Sequence, residues 1–255
     1  MEGMCIQMEK YKVSIVVAVY NLEKYLPRCL DALVNQTLQE IEILCVDDGS
    51  TDSAPQIVDE YAEKYPEKVK AFHKPNGGEF TTRNYGLERA TGEYVTFVDT
   101  DDWVEPNWAE KLYNTAKDNE ADLAVCGFER IDLNTGKVVS KDMTTHGYAV
   151  KEITGKDDFM MEINPAPWNK IYKREKVKDL RFLNFRGFND MIFLASSYTK
   201  IKKVAFVPDV LYHYYLRYDS QIHSVNQQDV DNFKKYLLEL KDLYIKVNKY
   251  EEMKD

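Results

Sequence analysis

Tyr94-Val95-Thr96-Phe97-Val98-Asp99-Thr100-Asp101-Asp102-Trp103 joins a β-branched apolar run to three carboxylates. A run of this kind reads as a buried strand. Open α/β sheets place their ligands beyond the C-terminal ends of strands. Carboxylates crowded there repel one another and resist desolvation. A divalent cation is the simplest offset, and an all-oxygen ligand set suits Mg²⁺ or Mn²⁺ rather than zinc. For an isolated Asp-x-Asp the plainer alternative is a solvated acidic turn capping the next helix. The flanking sequence decides against it.

Upstream, residues 13–19 form a second β-branched run, and residues 26–35 follow with helical spacing. Residues 41–46 read as a strand, and Asp52 or Ser53 can cap a helix running to residue 64. A short strand at 69–72 leads into Pro75-Asn76-Gly77-Gly78, which breaks the chain. A helix over 81–90 is expected to end at Gly92 as its C-cap. Downstream of the opening run come a helix over 105–119, with Pro106 near its first turn, and a strand at 123–127. Strands alternating with helices predict an α/β fold with a mostly parallel, Rossmann-like central sheet flanked by helices.

The second half changes character and predicts an α+β portion that packs on the sheet. Asn134-Thr135-Gly136-Lys137 reads as a hairpin turn. Helices are expected over 157–163, 190–198 and 229–247, and a strand pair over 202–215 around Pro208-Asp209. No linker rich in Pro, Gly or Ser divides the chain. It is therefore treated as one compact domain with a nucleotide-side half (12–130), an acceptor-side half (131–225) and a C-terminal helix (226–255). That last helix has Phe233, Tyr236, Leu237, Leu240 and Tyr244 at helical spacing. It is expected to pack on the body or on a second subunit, which leaves a homodimer open.

The totals narrow the function. With 255 residues and 44% apolar content, a sizeable core is expected. The net charge of −9, from 34 basic and 43 acidic side chains, argues against nucleic acid as a partner and suits a protein that holds cations. Cys5, Cys29, Cys45 and Cys126 form no C-x-x-C pair and read as reduced, which points to the cytoplasm. No signal peptide is expected, since residues 1–12 are polar, and no apolar run is long enough to span a bilayer. Peripheral contact with the inner face of a membrane stays open. A basic cluster from Lys170 to Arg181 reads mainly as solvated surface, with anionic lipid or a lipid-diphosphate ligand as the alternative.

Val17-Ala18-Val19-Tyr20-Asn21 lacks G-x-G-x-x-G, and no P-loop is present, so neither a dinucleotide fold nor a P-loop NTPase is supported. The second strand ends in Cys45-Val46-Asp47-Asp48-Gly49-Ser50-Thr51-Asp52. Helix capping accounts for Asp52 but not for the adjacent Asp47 and Asp48. A carboxylate at that strand end accepts from a ring N–H or a ribose hydroxyl and repels phosphate, which places it at the nucleoside end of a ligand. Asn76-Gly77-Gly78 permits close backbone approach. Arg83, in the next helix, suits a carboxylate or a diphosphate, or else a surface ion pair.

In order and spacing, the segments 13–21, 46–52, Thr82-Arg83-Asn84-Tyr85-Gly86-Leu87 and 97–103 resemble glycosyltransferase family 2, the inverting enzymes with the A-type glycosyltransferase fold. The resemblance covers roughly residues 12–130. Pro167-Trp168-Asn169-Lys170-Ile171-Tyr172-Lys173-Arg174 extends it toward bacterial members that build surface polysaccharides. It implies a UDP-sugar donor and a glycan or lipid-linked glycan acceptor. Asp47 or Asp48 would meet the uracil and ribose, and Ala18, Tyr20, Asn21, Asn76 and Thr100 would line the donor site. Arg83 would hold Asp99 or the donor sugar. Asp99 and Asp101 would serve the metal, with Asp101 the direct ligand.

The resemblance also implies a carboxylate base for the acceptor hydroxyl. Asp190 in Gly187-Phe188-Asn189-Asp190-Met191-Ile192-Phe193 matches it, and helix N-capping is the competing role. Asn189 departs from the usual Glu. Tyr215 stands at one usual Arg position of Tyr212-His213-Tyr214-Tyr215-Leu216-Arg217, and Arg217 matches a second. Tyr218 replaces a common Pro. His213 and His223 have no paired ligand spacing and read as structural or surface residues. Trp168 is either an acceptor-side platform for a sugar ring or a core residue. Two rivals remain. A nucleotidyltransferase would need a basic, Gly-rich loop after the first strand, which is missing. A non-catalytic sugar-nucleotide binder or assembly protein with a degenerate site is kept open by Asn189 and Tyr215.

Overall fold

The computed structural model describes residues 10–143, 147–153, 163–184, 189–217 and 227–246. The first half is built on four parallel strands: β1 (Val13–Val19), β2 (Ile41–Asp47), β3 (Val69–His73) and β4 (Tyr94–Asp99). Their spatial order is β3-β2-β1-β4, and α1 (Leu26–Val34), α2 (Ala54–Lys64) and α3 (Glu79–Arg89) connect them. The chain moves outward from β1 to β3 and then returns to the other side of β1. That reversal opens a crevice beyond the C-terminal ends of β1 and β4. Register places Ala18 beside Asp99 and Val19 beside Asp47.

The β-branched runs are continuous because both faces of the sheet are covered. Val13, Ile15, Val17 and Val19 pack with α1, α2 and α4 (Trp108–Asp118). Val16, Leu44, Val95 and Phe97 pack on the opposite face with Leu87 of α3 and with Phe193 and Leu194 of α6 (Asn189–Ser197). Gly86 of α3 sits directly over Val16, where an added Cβ would overlap the valine side chain.

Beyond β4 the sheet continues with β9 (Lys170–Lys173), β6 (Leu123–Asp132), β10 (Lys203–Leu216) and β5 (Trp103–Val104). β7 (Val138–Asp142) pairs antiparallel with β6 through the expected hairpin turn, and β8 (Val150–Glu152) pairs with β10. The short helix α5 (Arg174–Val177) follows β9, and α7 (Gln227–Lys246) packs on α6 through Tyr236 against Ile192 and a Tyr244 hydroxyl donating to the Ala195 carbonyl.

Several expectations change. Residues 203–216 form one strand, not a strand pair: both halves run parallel to β6, and register shifts at Val207/Val210 and Val210/Tyr212 absorb Pro208, which has no N–H to offer. β9 was not expected, and it enters antiparallel between β4 and β6. Gly92 is not a C-cap. α3 ends at Arg89 with Ala90 extended, and Gly92 is needed because a Cβ would stand 2.8 Å from the Ser14 amide nitrogen. Lys170 is fully buried, so it leaves the basic surface cluster, and the cluster's Arg174, Lys176 and Arg181 bond to Gly92, Asp122 and Glu88. The helix expected over 157–163 lies, save Ile163, outside the described residues, as do Gly187, Phe188, Tyr218 and His223. Among the described residues no helix is long and apolar enough to cross a membrane.

Candidate active site

The crevice gathers carboxylates from two strand ends, β2 and β4, and one from the start of α6. Asp47 closes β2. Its Oδ1 accepts from the Ser50 amide at 3.1 Å and its Oδ2 lies 3.3 Å from His73 Nδ1. Asp48 is buried and holds the following loop together: it pairs with Lys74 and accepts from the Gly77 and Gly78 amides at 2.9 and 2.8 Å and from Asn76 Nδ2 at 3.3 Å. Its carboxylate is therefore committed to positioning Asn76-Gly77-Gly78. Gly78 has φ +87°, a conformation that suits glycine. Asn21, also left-handed at φ 50°, accepts from the Thr51 amide at 2.8 Å and ties the β1 end to the β2 end. Tyr20 next to it is 47% exposed, and Thr100 donates to the Ala18 carbonyl at 2.6 Å.

Arg83 binds the two halves of the molecule. It is 2% exposed, with Nη2 2.7 Å from Asp99 and 2.5 Å from Glu79, and Nη1 2.6 Å from Asp190. Asn84, its neighbour, clamps residue 182 by donating to the Phe182 carbonyl and accepting from its amide, both at 2.8 Å. That clamp brings the α6 segment against α3. The Asp190 carboxylate turns to Arg83 and stays 29% exposed; Asn189 Oδ1 is what accepts from the Asp190 amide at the helix start. Capping does not occupy Asp190. Burial raises its pKa from 3.8, while Arg83 favours the charged form.

The other flank of the carboxylates is different. Arg217 Nε stands 2.8 Å from Asp101 Oδ2, and Arg28 donates to the Asp101 carbonyl at 2.5 Å while lying over the Tyr215 ring at 4.1 Å. Buried Asp102 accepts from the Tyr212 hydroxyl at 2.7 Å and from the Tyr215 amide at 2.9 Å, so its role is to fix β10 beside the site. Trp168 is 5% exposed and stacks on Tyr212 at 4.3 Å. It belongs to the core, which corrects the platform alternative. His213 is structural, as expected: buried between Glu129 and Glu105 and stacked on Trp103.

Burial and the neighbouring Asp99 charge raise the Asp101 carboxyl above 3.8. Asp99 and Asp101 each keep an oxygen that makes no ion pair among the described residues. Asp99, which shares Arg83 with two other carboxylates, and Asp101 beside it fit Mg²⁺ or Mn²⁺, which take one or two protein carboxylates and fill their shell from water and phosphate. Among the described residues no cluster of three or more His, Cys, Asp or Glu holds a metal unaided.

Sequence reasoning missed Arg28, Lys74 and the clamping role of Asn84. Lys74 was within reach, because a cation two residues before Asn76 is a natural partner for adjacent Asp47-Asp48.

A parallel sheet with a switch-point crevice, acidic at β4 and completed by a helix-borne carboxylate, defines an A-type glycosyltransferase fold. S. aureus TarS residues 1–349, in complex with UDP-GlcNAc, shares it: TM-score 0.75, 26% identity, 89% of this chain and 66% of that one. Residues 14–183 match the sequence model of glycosyl transferase family 2, and the chain belongs to that family. It is 39% identical over 220 residues to the putative glycosyltransferase EpsH of Bacillus subtilis, covering 84% of this chain and 63% of the relative. It is 32% identical over 228 residues to the poly(ribitol-phosphate) beta-glucosyltransferase of Bacillus spizizenii, covering 87% and 35%. The chain thus spans less than two thirds of the length of these two relatives.

Proposed function

We propose that this protein transfers a sugar from a UDP-sugar to a hydroxyl of a glycan or lipid-linked glycan, with inversion, in the synthesis of a surface polysaccharide. The observation that carries the reading is the Asp99–Arg83–Asp190 bridge, which links donor-side and acceptor-side carboxylates 91 residues apart in sequence (190 − 99) through one buried guanidinium. The UDP-GlcNAc complex of TarS and the poly(ribitol-phosphate) relative support the donor and polymer classes.

In this reading Tyr20 and Asp47 meet the nucleoside, and Asp48 shapes the Asn76-Gly77-Gly78 loop around it. Asp101, with Asp99, holds Mg²⁺ or Mn²⁺, which when bound neutralises charge on the diphosphate and on the departing UDP. Arg83 fixes the distance between Asp99 and Asp190. Asp190 takes the proton of the acceptor hydroxyl as that oxygen attacks the anomeric carbon. With Oδ1 held by Arg83, Oδ2 is the oxygen assigned to the acceptor. Single displacement inverts that carbon.

Asp190→Asn tests the assignment. Turnover is expected to fall roughly 10²- to 10⁴-fold, with UDP affinity changed by less than a few-fold. Equal turnover in both forms removes Asp190 from the chemistry. UDP binding without turnover in either form favours the non-catalytic binder.

A further inference from the structure

A cleft of about 590 Å³ opens on the α1 face of the sheet beside the Asp101 partners. Lys24, Tyr25 and Arg28 wall it at the start of α1, Asn134 in the β6–β7 turn, and Leu216 and Arg217 at the end of β10. The chain carries −9 overall, yet the lining includes three cations and no carboxylate.

These cations are held in place. Arg28 is pinned by the Asp101 carbonyl and by the Tyr215 ring, and its buried Nε has no hydrogen-bond partner among the described residues. The Lys24 ammonium stands 5.2 Å from the centre of the Tyr25 ring and makes no ion pair among the described residues. The Arg217 guanidinium lies 5.7 Å from the same ring. Arg217 is offset by Asp101, whereas Lys24 and Arg28 make no ion pair among the described residues, and a bound anion would offset those two like charges. Guanidinium groups with an amide and a phenol nearby suit the tetrahedral oxygens of phosphate, which accept several directed hydrogen bonds at once. The apolar leucine edge suits a ligand whose phosphate is part of a larger molecule.

We propose that this cleft binds a phosphoryl group of a substrate, with Lys24 and Arg28 as its contacts beside Arg217. The inference rests on the glycosyltransferase reading only for the choice of substrate. Two substrates carry the chemistry: the donor through its diphosphate, or an acceptor through a phosphodiester.

The test is calorimetric titration of the full chain with inorganic pyrophosphate, UDP, UMP and a glycerol phosphate oligomer. Divalent metal is left out, so that Asp99 and Asp101 do not dominate. Wild type is compared with Lys24→Met, Arg28→Met and Arg28→Lys. Each Met variant is expected to weaken pyrophosphate roughly tenfold, as expected for one charge-assisted contact, and Arg28→Lys to recover part of it. Lys24 is exposed, so its variant reads binding without disturbing the fold. If the variants lower the UDP-to-UMP affinity ratio, the phosphate is the donor's. If that ratio holds while oligomer binding falls, it is the acceptor's. Pyrophosphate affinity unchanged in both Met variants, or absent in wild type, overturns the proposal. UMP separates this from the donor reading: UMP binding with no Lys24 or Arg28 dependence of pyrophosphate sinks the cleft alone. Pyrophosphate binding with no UMP binding sinks the donor site alone.

Discussion

The two flanks of Asp99 and Asp101 solve opposite electrostatic problems. On the α3–α6 flank one guanidinium, Arg83, serves three carboxylates: Glu79, Asp99 and Asp190. On the α1–β10 flank two guanidiniums, Arg28 and Arg217, converge on Asp101 with Lys24 nearby. Negative charge is in excess on one side and positive charge on the other. A reaction in which a proton leaves on one side of a carbon and an anion departs on the other needs that polarity. The contrast teaches that the site is polarised by shared cations rather than by matched pairs.

The contrast breaks most severely at Arg83. Arg83→Met leaves three carboxylates without their common cation and is expected to cost about 3 kcal/mol or more, read as a lower urea midpoint, with loss of turnover. Arg28→Met, on the half-exposed flank, is expected to cost less than about 1 kcal/mol. Equal destabilisation by the two would dissolve the comparison.

Behind the crowded flank, the buried Lys170 ammonium donates to the Asn164 and Ala166 carbonyls at 2.8 and 2.5 Å and to Asn169 Oδ1 at 2.5 Å. Lys170→Met strands those acceptors and is expected to cost about 2 kcal/mol. Burial lowers this ammonium from 10.5 to about 7, so the unfolded chain binds the extra proton between those values. Wild-type stability is then expected to gain with rising pH across that window relative to Lys170→Met. Parallel stability–pH curves for the two proteins would refute it.

The pH–rate profile sharpens the polarity directly. In the role proposed for it, Asp190 can accept a proton only when ionised, and burial raises its pKa. The acid limb of kcat/KM is therefore expected above pH 3.8, and Asp190→Asn is expected to abolish that limb.

The smallest effect belongs to His73 at the end of β3, shared by Asp59 and Asp47. The Asp59 hydrogen bond first, and then Asp47, raise its pKa from 6.5. Its stabilisation is complete below pH 6.5 and lost as pH rises through the elevated value. His73→Gln is expected to flatten that modest slope in thermal melts.

Much of the first half was legible in the sequence, because β1, β2 and β4 are rich in β-branched and apolar residues and are followed by polar residues. Local signals of that kind survive without knowledge of the fold. The Arg83–Asp190 bridge was invisible, since no spacing rule links positions 107 residues apart. Arg28 was hidden for the same reason: its partner Asp101 lies 73 residues away. β9 escaped because it spans four residues and begins with a lysine, which a pattern reading assigns to the surface. The pairing of Lys170 with three carbonyls is a tertiary solution to a local conflict. Trp168 joined the core because Tyr212 supplied a stacking partner from a distant strand.

The place of β9 in the sheet has a consequence for how the chain is assembled. β4 and β6 do not touch along their shared edge until residues 170–173 arrive to lie between them. During synthesis the nucleotide half waits with two open strand edges for a segment made some forty residues after β6 (170 − 132 = 38). A fragment ending at residue 130 exposes those edges permanently and is expected to self-associate rather than to fold as a smaller working unit. The late strand acts as a keystone, which couples completion of the sheet beside Asp99 to synthesis of the segment that precedes Asp190.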